Sequence, residues 1–114
     1  MRLTVSVYKI LPETDWAQGS DLVPWSDDDR RDGFMHLSTG EQALRTAARH
    51  FAGKSGLVAL EIDESRIAGA LCYEKSRGGA LFPHLYGELP RAAVVRARRL
   101  VADGDGYRFA DERR

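Results

Sequence analysis

Hydrophobic and polar residues alternate along several short segments of the chain, whereas one segment repeats with the period of a helix. Strand-like patterns predict strands at residues 3–10, 33–37, 56–62, 70–74, 94–101 and 107–109. Apolar residues recur every three to four positions over residues 39–52, which predicts the main helix, ended by Gly53. Pro12 predicts the start of a short helix through Trp16. Strands and helices do not alternate regularly, so the order favours the α+β class.

Residues 20–32 show neither the alternation of a strand nor the repeat of a helix, and they are predicted to form a long polar loop. The segment contains Pro24, Trp25, Ser26 and several aspartates. Loops of this length in small domains frequently carry function. We expect Trp25 to anchor the loop on the core.

Residues 32–39 (DGFMHLST) place His36, Ser38 and Thr39 close together. Ser38 and Glu41 match the capping-box pattern, which predicts a helix that begins at this point. A helix N-terminus beside an imidazole and two hydroxyl groups suits an anion or a carbonyl oxygen. The alternative interpretation is that Ser38 serves only as a cap and His36 as a hydrogen-bonded strand residue.

Residues 76–87 (SRGGALFPHLYG) form a second segment of this kind, with His84 between glycine and proline residues. Together the two segments predict a metal-free pocket in which His36 and His84 act as general acid or base. Further ligand contacts are predicted from hydroxyl groups, a planar cation and flat rings, namely Ser38, Thr39, Arg77, Trp16 and Tyr86.

Composition excludes several other classes of protein. The 114 residues predict one domain, with 43% hydrophobic and 30% charged residues and a net charge of zero. We find no nucleoside-triphosphate or dinucleotide fingerprint, and the single Cys72 with scattered histidines does not make a zinc motif. Cys72 is predicted to be buried and inert. Without a membrane-spanning segment or a signal peptide, we expect a cytoplasmic protein with no membrane partner, and nucleic acid is an unfavoured partner.

The chain resembles the small bacterial "domain of unknown function 952" family. The resemblance rests on residues 8–10 (YKI), Trp16, residues 32–39, residues 46–53 (TAARHFAG) and residues 74–87 (EKSRGGALFPHLYG). It implies the ADP-ribosyltransferase-like fold, a compact split β-sandwich with mixed or antiparallel strands and flanking short helices. That fold implies a cleft for NAD or another nucleotide, with Lys9 on the first strand as a ligand contact.

Three functions remain open from the sequence. The first is a nucleotide-handling enzyme that uses NAD or a phosphorylated nucleotide. The second is a non-catalytic module that binds a small ligand or nucleotide in the same pocket. The third is a structural or interaction domain. Both pocket hypotheses require His36 and His84 to face one site.

Overall fold

The computed structural model describes residues 5–76 and 78–112. The protein is an α+β fold built from antiparallel sheets and short helices, as the order of elements predicted. Its helices are α1 Glu13–Trp16, α2 Asp27–Asp32 and α3 Ala43–His50. Its strands are β1 Ser6–Pro12, β2 Leu22–Val23, β3 Met35–His36, β4 Ser38–Thr39, β5 Leu57–Asp63, β6 Leu71–Lys75, β7 Leu81–Leu85, β8 Leu89–Pro90, β9 Val94–Asp103 and β10 Gly106–Phe109.

A five-stranded antiparallel sheet in the order β10-β9-β5-β1-β4 forms the centre of the fold. Strand β1 is buried on both faces because its apolar side chains alternate between two hydrophobic clusters. Val7 and Leu11 belong to the cluster on one face, and Tyr8 and Ile10 to the cluster on the other. Lys9 lies between Val7 and Leu11 in sequence, so this cation is directed to the face of the first cluster.

The two clusters are covered by different elements. Helix α3 packs against the second cluster through the fully buried Ala43 and Ala47. The first cluster contains Met35 and Leu85 from a three-stranded sheet, order β3-β7-β6, and Leu89 from the β2-β8 pair. Met35 lies opposite Leu85 in the β3-β7 register, and His36 lies opposite His84. Since neighbouring strand residues point to opposite faces, the histidines lie on the outer face of this sheet.

The polar segment predicted to be a loop contains β2 and helix α2. Ser26 accepts a hydrogen bond from the backbone N–H of Asp29, and the Asp29 carboxylate accepts one from the backbone N–H of Ser26. These two bonds form a capping box at the N-terminus of α2. Gly33 closes the helix with φ of 82°, a conformation that favours glycine. Trp25 packs against the first cluster, as expected for an anchor.

The predicted N-terminus of the main helix was wrong. Ser38 lies in β4 opposite Tyr8, four residues before Gln42, which is the N-cap of α3, so Ser38 is too far from the helix to cap it. Helix α3 begins at Ala43, and a reciprocal pair of hydrogen bonds precedes it. The backbone N–H of Thr39 donates to the side chain of Gln42, whose own backbone N–H donates to the Thr39 hydroxyl. The capping-box pattern therefore applies one residue later than the sequence analysis placed it.

Two further expectations need correction. Strand β7 runs through Pro83 in the middle of a sheet, where proline is uncommon, and was therefore not predicted. Cys72 is exposed, because it lies opposite His84 on the outer face of the same sheet. Among the described residues, no helix is long and apolar enough to span a bilayer.

Candidate active site

Four ring side chains cluster on the outer face of the three-stranded sheet. We call Phe34, His36, His84 and Tyr86 the ring cluster. The imidazoles of His36 and His84 meet edge to face, with ring centroids 5.9 Å apart. The ring of Phe34 stacks on His84 at 4.0 Å and lies 4.7 Å from His36 and 5.3 Å from Tyr86. The two predicted histidines therefore face one site, because β3 and β7 are paired at these residues.

One ring nitrogen of His84 is bonded to a carboxylate, and the other has no partner among the described residues. Its Nδ1 lies 2.7 Å from Glu74 Oε1, which also accepts a 2.6 Å hydrogen bond from the Tyr86 hydroxyl. These bonds from Tyr86 and His84 lower the pKa of Glu74, and the bond to Glu74 raises the pKa of Tyr86 to about 12. A carboxylate only accepts, so His84 must donate from Nδ1. Within the described residues Nε2 has no partner, and it carries the lone pair when the ring is neutral.

His36 is held at both ring nitrogens. Nδ1 lies 2.7 Å from Asp29 Oδ1, and Nε2 lies 2.9 Å from Asp32 Oδ2. Both acceptors are carboxylates, so His36 makes the two bonds at once only when both nitrogens carry protons. The hydrogen bond from Arg31 is the main cause that lowers the pKa of Asp32 to about 2. Both ring nitrogens of His36 are therefore directed at carboxylates of helix α2, and the ring lies next to His84.

A buried ion pair lies beneath His36. The Lys9 ammonium is 2.8 Å from Asp29 Oδ2 and 3.3 Å from the His36 carbonyl oxygen, and the side chains of Lys9 and Asp29 are only 5% and 0% exposed. Burial alone would raise the pKa of Asp29, but hydrogen bonds from His36 and the Lys9 charge outweigh it and hold that pKa well below its usual range. Burial lowers the pKa of Lys9, and the charge of Asp29 offsets part of this effect.

The lowered pKa of Asp29 predicts acid sensitivity. Because its folded pKa lies below its unfolded value of about 3.9, the unfolded chain binds more protons in acid. We expect the free energy of unfolding to be maintained above about pH 4 and to fall progressively below it. Melting temperatures measured by circular dichroism between about pH 5 and pH 2 check this. A melting temperature that rises with acidification would contradict it.

The remaining predicted site residues lie elsewhere. Lys9 and Ser38 are buried, and the Ser38 hydroxyl donates to Thr46 at 2.9 Å. The Thr39 side chain is bonded to Gln42. The ring of Trp16 is covered by the Arg91 guanidinium at 3.5 Å. Arg77 lies outside the described residues.

Sequence analysis missed the carboxylates and the ring that hold the two histidines. Glu74, Asp29, Asp32 and Phe34 were not predicted as site residues. Phe34 and Asp32 lie inside the first histidine segment, where the signal was present. The Ser26-x-x-Asp29 spacing fits a capping box and could have placed Asp29 at the start of a helix next to that segment.

The two shallow cavities in the described part of the chain lie away from the ring cluster. One, of about 190 Å³, is lined by Lys54, Asp105 and Tyr107 among others, and the other, of about 330 Å³, by Arg98 and Asp111 among others. Within residues 5–76 and 78–112, no three side chains of His, Cys, Asp or Glu are placed to hold a metal ion. Neither of these two cavities is lined by a residue of the ring cluster.

Comparison with known families gives a match over residues 10–97 to the family described as "Protein of unknown function (DUF952)". The chain belongs to this family. The matched DUF952 residues include the whole ring cluster and the three carboxylates that hold it. Lys9 lies one residue before the match begins.

Solved structures similar to this DUF952 chain come from Caulobacter crescentus. The crystal structure of protein CC0527 is 43% identical, with 90% of this chain and 91% of that chain covered and a TM-score of 0.82. The solution NMR structure of CC0527 is 44% identical, with 90% of each chain covered and a TM-score of 0.75. No curated protein matches the chain.

Proposed function

We propose that the ring cluster is a small-molecule site with acid–base chemistry, in which His84 takes a proton from the ligand. The observation that carries this is the asymmetry of the His84 ring: Glu74 holds Nδ1, and Nε2 has no partner among the described residues. The His84 side chain is 9% exposed, at the edge of the ring cluster. A carboxylate that fixes the tautomer of a histidine is a common way to prepare a general base.

The two histidines have different roles in this proposal. His36 is not assigned as the base, because both of its ring nitrogens lie within hydrogen-bond distance of carboxylates, those of Asp29 and Asp32. It lies edge to face with His84 and forms a wall of the site beside the base. The proton that His84 takes from the ligand is carried on Nε2, because Nδ1 already bears the proton donated to Glu74.

Nucleotides, including nicotinamide dinucleotides, are the ligand class that we propose. Phe34 and the half-exposed Tyr86 offer ring faces next to His84 on which a planar base can stack. The ADP-ribosyltransferase-like fold that the family resemblance implies is our further reason for proposing this ligand class and a role as a nucleotide-handling enzyme. We assign no ligand contact to Lys9 or Ser38, because their polar atoms are bonded inside the fold.

A second candidate function uses the same surface without catalysis. Tyr86 is 49% exposed and the ring cluster is open, which is suited to reversible stacking of a planar ligand. A nucleotide that binds the parent protein and is recovered chemically unchanged would favour this module over an enzyme.

A thermal-shift series with NAD, AMP and nicotinamide mononucleotide tests the proposal. A ligand present at about 100 times its dissociation constant adds roughly 2.7 kcal/mol to the free energy of unfolding, which is about 10 °C in melting temperature. We expect one of these nucleotides to stabilise the parent protein. Tyr86→Ala should reduce the shift, and His84→Gln should abolish turnover of the bound nucleotide.

His50→Gln is the matched control, because His50 is the exposed third histidine at the end of α3. It should behave as the parent. Turnover that persists in His84→Gln would overturn the role of His84 as the base. No shift with any of the three nucleotides would show that the ligand class is wrong.

A further inference from the structure

We infer that Asp29 is a positioning residue for the ring cluster: its carboxylate sets the orientation of the His36 imidazole and keeps a proton on its Nδ1. The inference rests on the proposed function of this site, and it adds a residue from helix α2 to it. Asp29 itself does not reach the surface, since it is 0% exposed. It acts on a ligand only through His36.

The two carboxylate oxygens of Asp29 bind different partners. Oδ2 accepts the backbone N–H of Ser26 at 3.0 Å and the Lys9 ammonium at 2.8 Å. Oδ1 accepts both the backbone N–H of His36 at 3.0 Å and its ring Nδ1 at 2.7 Å. One oxygen that binds both the main chain and the ring of the same residue fixes the side chain relative to its strand.

A helix cap alone does not account for this arrangement. Capping requires only the bonds between Asp29 and Ser26, and an exposed aspartate supplies them equally well. Here the carboxylate is buried with a buried lysine, and taking two charges out of water is costly unless each is well paired. The cap does not use Oδ1. The two bonds that Oδ1 accepts from His36 account for the burial of this pair.

The charged groups around His36 come from four elements. Asp29, Asp32 and Arg31 belong to α2, with Arg31 bonded to Asp32. Lys9 comes from β1, His84 from β7, and Glu74 from β6, where it is bonded to His84. Asp29 is the only one of the three carboxylates that is fully buried, so water screens its effect on His36 least.

Long-range ¹H–¹⁵N spectra of the histidine rings at neutral pH, without ligand, test the inference. In the parent protein, Nδ1 of His36 should give the shift of a protonated nitrogen. In Asp29→Asn, the share of His36 rings with the proton on Nδ1 should fall, because an amide oxygen is a weaker acceptor than a carboxylate. Asp28→Asn is the matched control, since Asp28 lies on the same helix, is exposed and bonds Arg31; it should leave His36 unchanged.

The double variant Lys9→Met/Asp29→Asn removes both buried charges and keeps the test valid if Asp29→Asn alone does not fold. It should show the same loss of the proton on His36 Nδ1. An unprotonated Nδ1 in the parent, or unchanged His36 shifts in either variant, would overturn the inference. Because no nucleotide is present, these outcomes are independent of the ligand and of the role of His84 as a base.

Discussion

Lys9→Met is expected to lower the free energy of unfolding by about 3–5 kcal/mol. Methionine fills most of the space of the lysine stem but removes the charge that balances Asp29. The Asp29 carboxylate then stays fully buried without the lysine that pairs with it. Urea denaturation of the variant and the parent, with similar slopes for both, measures the difference.

Two further variants serve as controls for this measurement. The double variant Lys9→Met/Asp29→Asn should recover much of the stability, because replacing a buried pair by uncharged groups is often close to neutral. Arg96→Met removes an ion pair with Glu61 in which the arginine side chain is 56% exposed, and it should cost less than about 1 kcal/mol. If Lys9→Met costs no more than Arg96→Met, Lys9 is not the counter-charge that keeps Asp29 buried.

The sequence predicted the long strands well because they carry their own signal. Strand β5 is a continuous apolar run, and β9 has the period of a strand over many residues. Strands of two residues, such as β2 and β4, contain too few positions for a period to be recognised. Helix α2 was missed because its six residues, DDDRRD, show no apolar face and are held by a cap and a glycine.

For a related reason, the sequence predicted the histidines of the ring cluster but not the carboxylates that hold them. His36 and His84 stood out as rare residues in unusual segments, and the structure pairs them. Their partners could not be assigned from sequence, because Asp29 is 7 residues from His36 and 20 from Lys9, and Glu74 is 10 from His84. These contacts depend on how α2 and β6 pack, which local spacing does not specify. A sequence with many carboxylates offers several such partners for each histidine.

Ser38 was the clearest misassignment, and its consequence is testable. If Ser38 capped α3, an aspartate there would be tolerated and would favour the helix dipole. In the structure Ser38 is 2% exposed in β4, and its hydroxyl donates to Thr46. Ser38→Asp therefore buries a carboxylate with no cation beside it among the contacts of Ser38, and we expect it to destabilise the protein by about 3–5 kcal/mol.

Thr39→Asp is the matched control one residue away. The hydroxyl of Thr39 accepts the backbone N–H of Gln42 ahead of α3, and an aspartate keeps an acceptor at that position, so the change should stay within about 0.5 kcal/mol. Melting temperatures of the two variants separate the interpretations, since 3 kcal/mol corresponds to roughly 12 °C or more in a domain near this size. If Ser38→Asp is as stable as the parent and Thr39→Asp is destabilised, Ser38 is the N-cap of α3. The opposite order shows that β4 extends through Ser38 and that the helix begins only after Gln42.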